Sequence, residues 1–140
     1  MLSKLNPRLI VARMTSFRRD GKYTAMAGHD TSYPAVSGVL PQLGRKDSTP
    51  HPPTNLLQDL GGGGLVCFVA IVMTMLQRQE SGLREVAEPH VVDEAAHLGI
   101  MLRFAGKNPM WDRPRGWNPL SGGCPYYDTH ECKDGRYMAV

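Results

Sequence analysis

The sequence has little cysteine and no arrangement of ligands typical of a metal site. Its three cysteines are Cys67, Cys124 and Cys132, an odd number without a repeated short spacing. Cys67 lies in an apolar run, where a thiol is usually a small buried hydrophobic group. Cys124, His130 and Cys132 are close in sequence, but no CxxC pair occurs and a fourth ligand is not evident. We therefore expect no metal, and free thiols in a reducing compartment.

The sequence also lacks a strong excess of either charge. Lysine and arginine number 16 against 13 acidic residues, a net charge of +3. The basic residues are scattered, apart from the pairs at 18–19 and 45–46, and no basic helix or aromatic platform accompanies them. We expect no nucleic-acid partner, although a small phosphate-bearing ligand fits this balance as well as a solvated basic surface does.

Long apolar runs are missing too. The longest run, 65–76, has twelve residues, fewer than the roughly 18–20 that a bilayer requires, although the glycines at 61–64 bring it close to that length. The run is apolar on all sides, which is typical of a deeply buried helix. We therefore predict a buried helix over about 56–79, ended by Gly82, and no membrane span.

Glycine and proline, in contrast, are plentiful. The 15 glycines and 11 prolines cluster at 34–64 and 106–125, which indicates regular segments joined by long loops. Around them the sequence pattern predicts strands at 8–14 and 85–87, helices at 33–43 (interrupted near Pro41) and 91–104, and a hairpin of 126–132 with 136–140 about the turn Lys133-Asp134-Gly135.

Two side chains are candidates for proton chemistry. His29 follows Gly28, which allows the backbone to approach a ligand, and imidazole is suited to proton transfer near neutral pH. Asp59 lies just before the glycines at 61–64, each of which weakens a helix by about 1 kcal/mol relative to alanine. Such a run is expected where the backbone closely approaches a ligand or a neighbouring element. Taken singly, a structural role explains each residue better than a catalytic one: His29 as a hydrogen-bonding histidine and Asp59 as a carboxylate at a helix start.

Taken together, several segments resemble the family of α-methylacyl-CoA racemases and family III CoA-transferases. Residues 6–15 resemble the strand before the family's active-site loop, 27–30 (Ala-Gly-His-Asp) the racemase histidine loop, and 55–59 (Asn-Leu-Leu-Gln-Asp) the aspartate-bearing turn. His29 and Asp59 lie 30 positions apart, which agrees with the racemase pattern without a gap. Residues 115–140 resemble the connection and hairpin that follow.

The resemblance implies a 1,1-proton transfer that interconverts the R and S forms of a 2-methylacyl-CoA. His29 and Asp59 would be the two catalytic bases, one on each face of the α-carbon. The residues along the CoA thioester arm would be Gly28, His29, Asp30 and Tyr33. The resemblance implies no metal or redox cofactor, because acyl-CoA is the substrate, and it implies a homodimer for full-length members.

Two alternatives remain open. In a family III CoA-transferase, Asp59 would be an acyl-carrying nucleophile, but such enzymes typically lack a histidine at the position of His29. The other alternative is a non-catalytic remnant, since Thr31, Ser32 and Leu60 depart from the racemase pattern.

The fold that the resemblance implies is α/β, as a partial CoA-transferase family III fold. Residues 1–105 would form the C-terminal part of a Rossmann-like, CoA-binding large domain with its linker helices. Residues 106–140 would form the connection and the start of a small domain. Family members extend further at both ends, so we expect an internal fragment that is inactive alone. The compartment would be the peroxisome or mitochondrion in a eukaryote and the cytoplasm in a bacterium.

Overall fold

The computed structural model describes residues 2–140, and these mix helices with short strands. The helices are α1 Leu2–Leu5, α2 Ser32–Ser37, α3 Val66–Ser81, α4 Val91–Leu98 and α5 Ile100–Ala105. The strands are β1 Ile10–Ala12, β2 Glu85–Ala87, β3 Thr129–Glu131 and β4 Tyr137–Ala139. A π-helix, Leu56–Leu65, runs directly into α3, and two short 3-10 helices are Leu40–Gln42 and Pro119–Ser121. This mixture agrees with the predicted α/β class.

Strands β1 and β2 form a parallel pair in which Val11 lies opposite Val86. Parallel strands need a long crossover, and here the crossover contains α2, the π-helix and α3. The strand predicted at 85–87 has the predicted bounds, whereas β1 is shorter than the predicted 8–14 and is only partly buried. A further bridge between Thr15 and His90 extends the pairing towards the start of α4.

The hydrophobic core lies where α4 packs on α2 and the π-helix. It consists of Phe17, Tyr33, Val91 and Ala95. The rings of Phe17 and Tyr33 meet edge-on, with their centroids 5.6 Å apart, an arrangement that aromatic pairs favour. Because this core is small, its packing is sensitive to any added atom.

The glycines of the π-helix allow α4 to approach its backbone. A Cβ atom on Gly63 would lie 3.4 Å from Val91 Cγ2, and one on Gly62 would lie 3.5 Å from the Ala95 nitrogen. Both glycines are buried. Of the two explanations for the glycine run, the close approach of a neighbouring element therefore accounts for these two positions.

The prediction of a helix over 56–79 is confirmed in extent and wrong in burial. Gly82 ends α3 in the left-handed conformation, with φ of 69°, as predicted. However, Phe68 is 62% exposed and Met73 is 63% exposed. The elements packed most extensively against α3 are β1, β2 and the π-helix, so much of its surface is left uncovered. The continuous helix from 56 to 81 has 26 residues and is, by length and composition, apolar enough to cross a membrane.

Two other helix predictions differ in where the helix breaks. The segment predicted at 91–104 divides into α4 and α5 at Gly99, where a Cβ atom would overlap the side chain of Val39. The segment predicted at 33–43 breaks at Gly38 rather than near Pro41. Gly38 has φ of 79° and donates its N–H to carbonyls of the preceding turn.

The C-terminal hairpin is confirmed. Strands β3 and β4 pair antiparallel, with His130 opposite Met138, and Gly135 has φ of 76° in the predicted turn. The Arg45 guanidinium binds the Asp128 carboxylate and lies 2.7 Å from Thr129 Oγ1. These contacts connect the hairpin to the loop that follows α2. The predicted domain boundary near residue 105 stays a prediction.

Candidate functional site

The histidine loop is fixed by aromatic packing beneath it. Gly28 lies against the core, where a Cβ atom would be 2.5 Å from Tyr33 Cε1 and 2.9 Å from Phe17 Cε2. His29 is exposed and lies in the loop three residues before the first residue of α2. Its carbonyl accepts the N–H of Ser32 at 2.7 Å. Within residues 2–140 the His29 imidazole forms no hydrogen bond, so both ring nitrogens are available to a ligand.

Asp30 connects the histidine loop to the aspartate-bearing turn. Its side chain is buried, with 4% of the residue exposed. One carboxylate oxygen accepts the N–H of Asn55 at 3.2 Å, and the other accepts the N–H of Asp59 at 3.1 Å. The structure therefore brings together the two segments that contain His29 and Asp59.

The π-helix explains why the N–H of Asp59 is free for this bond. The Leu60 N–H donates to the Asn55 carbonyl at 3.1 Å, a bond that spans five residues. The N–H groups before Leu60 have no carbonyl at this spacing inside the helix, as at any helix start. The Asp30 carboxylate satisfies the N–H of Asp59, and buried polar groups require such partners.

The Asp59 carboxylate is partly buried and is held at one oxygen. Asn55 Nδ2 donates to Asp59 Oδ2 at 2.8 Å. Among the described residues Asp59 Oδ1 accepts no hydrogen bond. A carboxylate with one fixed and one open oxygen can exchange a proton with a substrate through the open oxygen.

The backbone before the π-helix is strained. Thr54 and Asn55 both have positive φ, 56° and 60°. Asparagine tolerates this left-handed region, but a β-branched threonine is an outlier there. Strain of this kind costs about 1–3 kcal/mol and is often found at functional sites. The hydrogen bond from the Asn55 N–H to Asp30 helps to hold the strained turn.

Tyr33, expected along the CoA arm, is a core residue in the structure. It is 4% exposed, and its hydroxyl donates to Ser16 Oγ at 3.0 Å. Gly28 likewise faces the core rings. Both residues support the histidine loop from below, and their contact with CoA stays a prediction.

A cavity lies between the loop after α2 and the C-terminal hairpin, apart from His29 and Asp59. It has a volume of about 950 Å³, and its mostly apolar lining includes Leu43, Leu120, Tyr127 and Val140. Arg45 and Asp128 lie at this cavity. The hydrogen bond from the Arg45 guanidinium, followed by that from the Thr129 N–H, lowers the pKa of Asp128.

No local pattern in the sequence predicts the residues that build this cavity. Arg115, in the connection after α5, donates to the carbonyls of Pro41, Arg45 and Ser48 and so holds the loop in place. An isolated arginine in a loop gives no such signal in the sequence. Within residues 2–140 no three His, Cys, Asp or Glu side chains gather as a metal site would require, and His130 Nε2 instead contacts the Pro125 carbonyl at 2.8 Å.

The chain as a whole is similar to proteins of known family. The sequence profile of CoA-transferase family III matches residues 1–140. The chain belongs to CoA-transferase family III. It is 42% identical to the α-methylacyl-CoA racemase of Homo sapiens over 140 residues, and this alignment covers all of this chain and 37% of the human protein. The identity to the α-methylacyl-CoA racemase of Mus musculus is 44% over 135 residues, 96% of this chain and 35% of the mouse protein.

A solved structure supports the fold of this family III chain. The crystal structure of a CaiB/BaiF family protein from Brucella suis superimposes with a TM-score of 0.81 at 22% identity, over 99% of this chain and 36% of that protein. The chain thus corresponds to a partial family III fold, as predicted, and spans little more than a third of these relatives.

Proposed function

We propose that this chain carries the two proton-transfer residues of an enzyme that racemises 2-methylacyl-CoA thioesters. The observation that carries the proposal is the Asp30 carboxylate, which binds the Asp59 turn directly next to His29. The 42–44% identity to two mammalian racemases supports it. The exposed imidazole of His29 and the open oxygen of Asp59 have the chemistry that two bases require.

The proposed reaction removes one proton from the α-carbon and adds another to its opposite face. The thioester carbonyl acidifies the α-hydrogen. One base removes it, and the electrons of the C–H bond form an enolate. The conjugate acid on the opposite face then donates a proton to the α-carbon, and the C=C bond electrons form the new C–H bond. His29 and Asp59 serve opposite faces, so repeated turnover interconverts the two enantiomers.

Acyl-CoA is the proposed ligand and substrate. Because the proton moves between side chains and carbon, the proposed reaction needs no metal or redox cofactor. A homodimer is proposed for the longer family members.

We also propose that the helix at 56–81 belongs to the folded domain rather than to a membrane, since Gly62 and Gly63 within it pack against α4. The compartment, peroxisomal or mitochondrial in a eukaryote and cytoplasmic in a bacterium, stays a prediction from the family.

Isotope exchange tests the proposed reaction. Since the chain spans 37% of the human racemase, we would assay both the chain alone and a hybrid in which residues 1–140 replace the matching segment of the human protein. Each is incubated with (2R)-2-methylacyl-CoA in deuterated water, and α-deuterium is measured by mass spectrometry. We expect incorporation by the hybrid and none by the chain alone.

Variants assign the exchange to the two residues. His29→Ala and Asp59→Ala should each abolish conversion of the 2R to the 2S thioester by the hybrid, measured by chiral chromatography, whereas His51→Ala, at another exposed histidine, should not. A folded hybrid that fails to exchange would contradict the racemase proposal, as would full conversion to the 2S thioester by either variant. Capture of an acyl group on Asp59 by hydroxylamine would instead support the CoA-transferase alternative.

A further inference from the structure

As a catalytic base, Asp59 would have to hold its carboxylate in one orientation. Two side-chain torsions separate its carboxylate from the backbone, and the residue is only partly buried. A side chain of this kind ordinarily populates several rotamers. A base, however, must present its oxygen within a small distance of the proton that it removes. Since burial does not fix the orientation of the Asp59 carboxylate, hydrogen bonds from neighbouring residues of the turn must do so.

Asn55 supplies a donor to the carboxylate of Asp59. Its Nδ2 lies 2.8 Å from Asp59 Oδ2, four residues further along the chain. Asn55 adopts the left-handed conformation, with φ of 60°, which asparagine tolerates better than most residues. An amide also differs from lysine or arginine, because it holds a carboxylate without adding a positive charge that would favour the ionised form. An uncharged donor therefore disturbs the balance between the two protonation states of a base less than a cation would.

Asp30 fixes the backbone on which both Asn55 and Asp59 stand. Its two oxygens bind the N–H groups of these residues at 3.2 and 3.1 Å. Hydrogen bonds to an ionised acceptor are roughly twice as strong as neutral ones, and burial excludes competing water from the Asp30 carboxylate. Since Asp30 directly follows His29, the same bonds link the positions of the two proposed bases.

We propose that Asp30 and Asn55 are positioning residues for Asp59, with Asn55 orienting its carboxylate and Asp30 fixing its backbone beside the histidine loop. This assignment rests on the function proposed above. It differs from the expectation that Asp30 contacts the CoA arm, because both oxygens of its buried carboxylate are already bound to the turn.

NMR on the 140-residue chain tests the positioning directly. Three-bond couplings from Cγ to the backbone nitrogen and carbonyl carbon report the rotamer of Asp59. We expect a single rotamer in the unmodified chain. Asn55→Gly keeps the left-handed backbone cheaply accessible and removes only the amide, so it should average these couplings while the rest of the amide spectrum stays unchanged. Asn108→Ala, at an exposed turn asparagine, is the matched control and should leave Asp59 unaffected.

Asp30→Asn provides a second, independent variant. Its Oδ1 can still accept one N–H, but its Nδ2 cannot accept the other, so the amide proton of whichever residue, Asn55 or Asp59, faces Nδ2 should exchange with deuterated water at least tenfold faster. Single-rotamer couplings in Asn55→Gly together with unchanged amide exchange in Asp30→Asn would overturn the proposal. Rotamer averaging of Asp59 in the unmodified chain would overturn it as well.

These readouts do not depend on turnover. Failure of the exchange assay with intact positioning would therefore contradict the racemase proposal alone. Where exchange is measured, Asn55→Gly should lower kcat by about 10–100-fold with little change in KM. A loss of kcat in Asn108→Ala as large as that in Asn55→Gly would indicate a general structural effect and contradict the specific role of Asn55.

Discussion

Gln58 offers a direct test of the packing around the π-helix. Its side chain is completely buried, with 0% exposure, next to the proposed base Asp59. Among the described residues, neither Nε2 nor Oε1 of this amide has a hydrogen-bond partner. In the unfolded chain both atoms would be hydrated, so folding removes their hydrogen bonds with water and supplies no replacement.

The cost of this unsatisfied amide sets the expected size of the effect. A buried polar group without a partner destabilises a protein by about 1–3 kcal/mol. Gln58→Met removes both polar atoms and keeps an unbranched side chain of similar length that adapts to irregular space. We therefore expect the free energy of unfolding to rise by about 1–3 kcal/mol, which corresponds to an increase in Tm of roughly 3–5 °C for each kcal/mol.

Urea unfolding followed by circular dichroism measures this change. The midpoint should rise without a change in the denaturant slope, which is the pattern of a pure stability effect. The matched control is Gln77→Met on α3, where the glutamine is exposed and the effect should stay within about 0.5 kcal/mol. A lower midpoint for Gln58→Met would refute the reasoning, because it would mean that the amide makes favourable interactions in the folded chain.

Two further predictions concern the histidine loop and the hairpin. Gly28→Ala should destabilise the chain by about 1–3 kcal/mol in thermal unfolding, because its methyl group would meet the rings of Tyr33 and Phe17. The control is Gly21→Ala, since a Cβ atom at Gly21 would have no atom within 4 Å. The same Tm for both variants would contradict the packing argument. For Asp128, the Arg45 hydrogen bond lowers the pKa below its ordinary value of 3.8. The folded chain therefore binds fewer protons there than the unfolded chain, and the stabilisation is complete above about pH 5 and is lost as the pH falls through the lowered pKa. Amide chemical shifts of β3 and β4 between pH 5 and 2 should follow this loss, and the same pH response in Asp128→Asn would contradict the assignment.

The features that the sequence predicted well depend on local chemistry. The hairpin follows from its glycine turn, where Gly135 adopts φ of 76°, and the end of α3 follows from Gly82. In both cases a residue without a side chain meets a backbone conformation that other residues adopt only with strain. The assignment of His29 and Asp59 as two catalytic bases comes from another source, the resemblance of whole segments to a family, and stays a prediction.

The features that the sequence did not predict depend on contacts between distant segments. The break at Gly99 arises because Val39 occupies the space of its missing Cβ atom. The use of the Asp30 carboxylate depends on donors 25 and 29 residues away. Nothing in the pattern around residue 30 distinguishes a carboxylate that binds a ligand from one that binds a neighbouring turn.

The exposed surface of α3 shows the same limit for hydrophobic patterns. Apolar residues on every side of a helix indicate that all of its faces favour burial, but they do not specify which element covers each face. In this chain β1, β2 and the π-helix pack against α3, and residues such as Phe68 and Met73 remain in contact with solvent. Composition therefore predicted the helix correctly and its burial wrongly, since the first depends on the segment itself and the second on what packs around it.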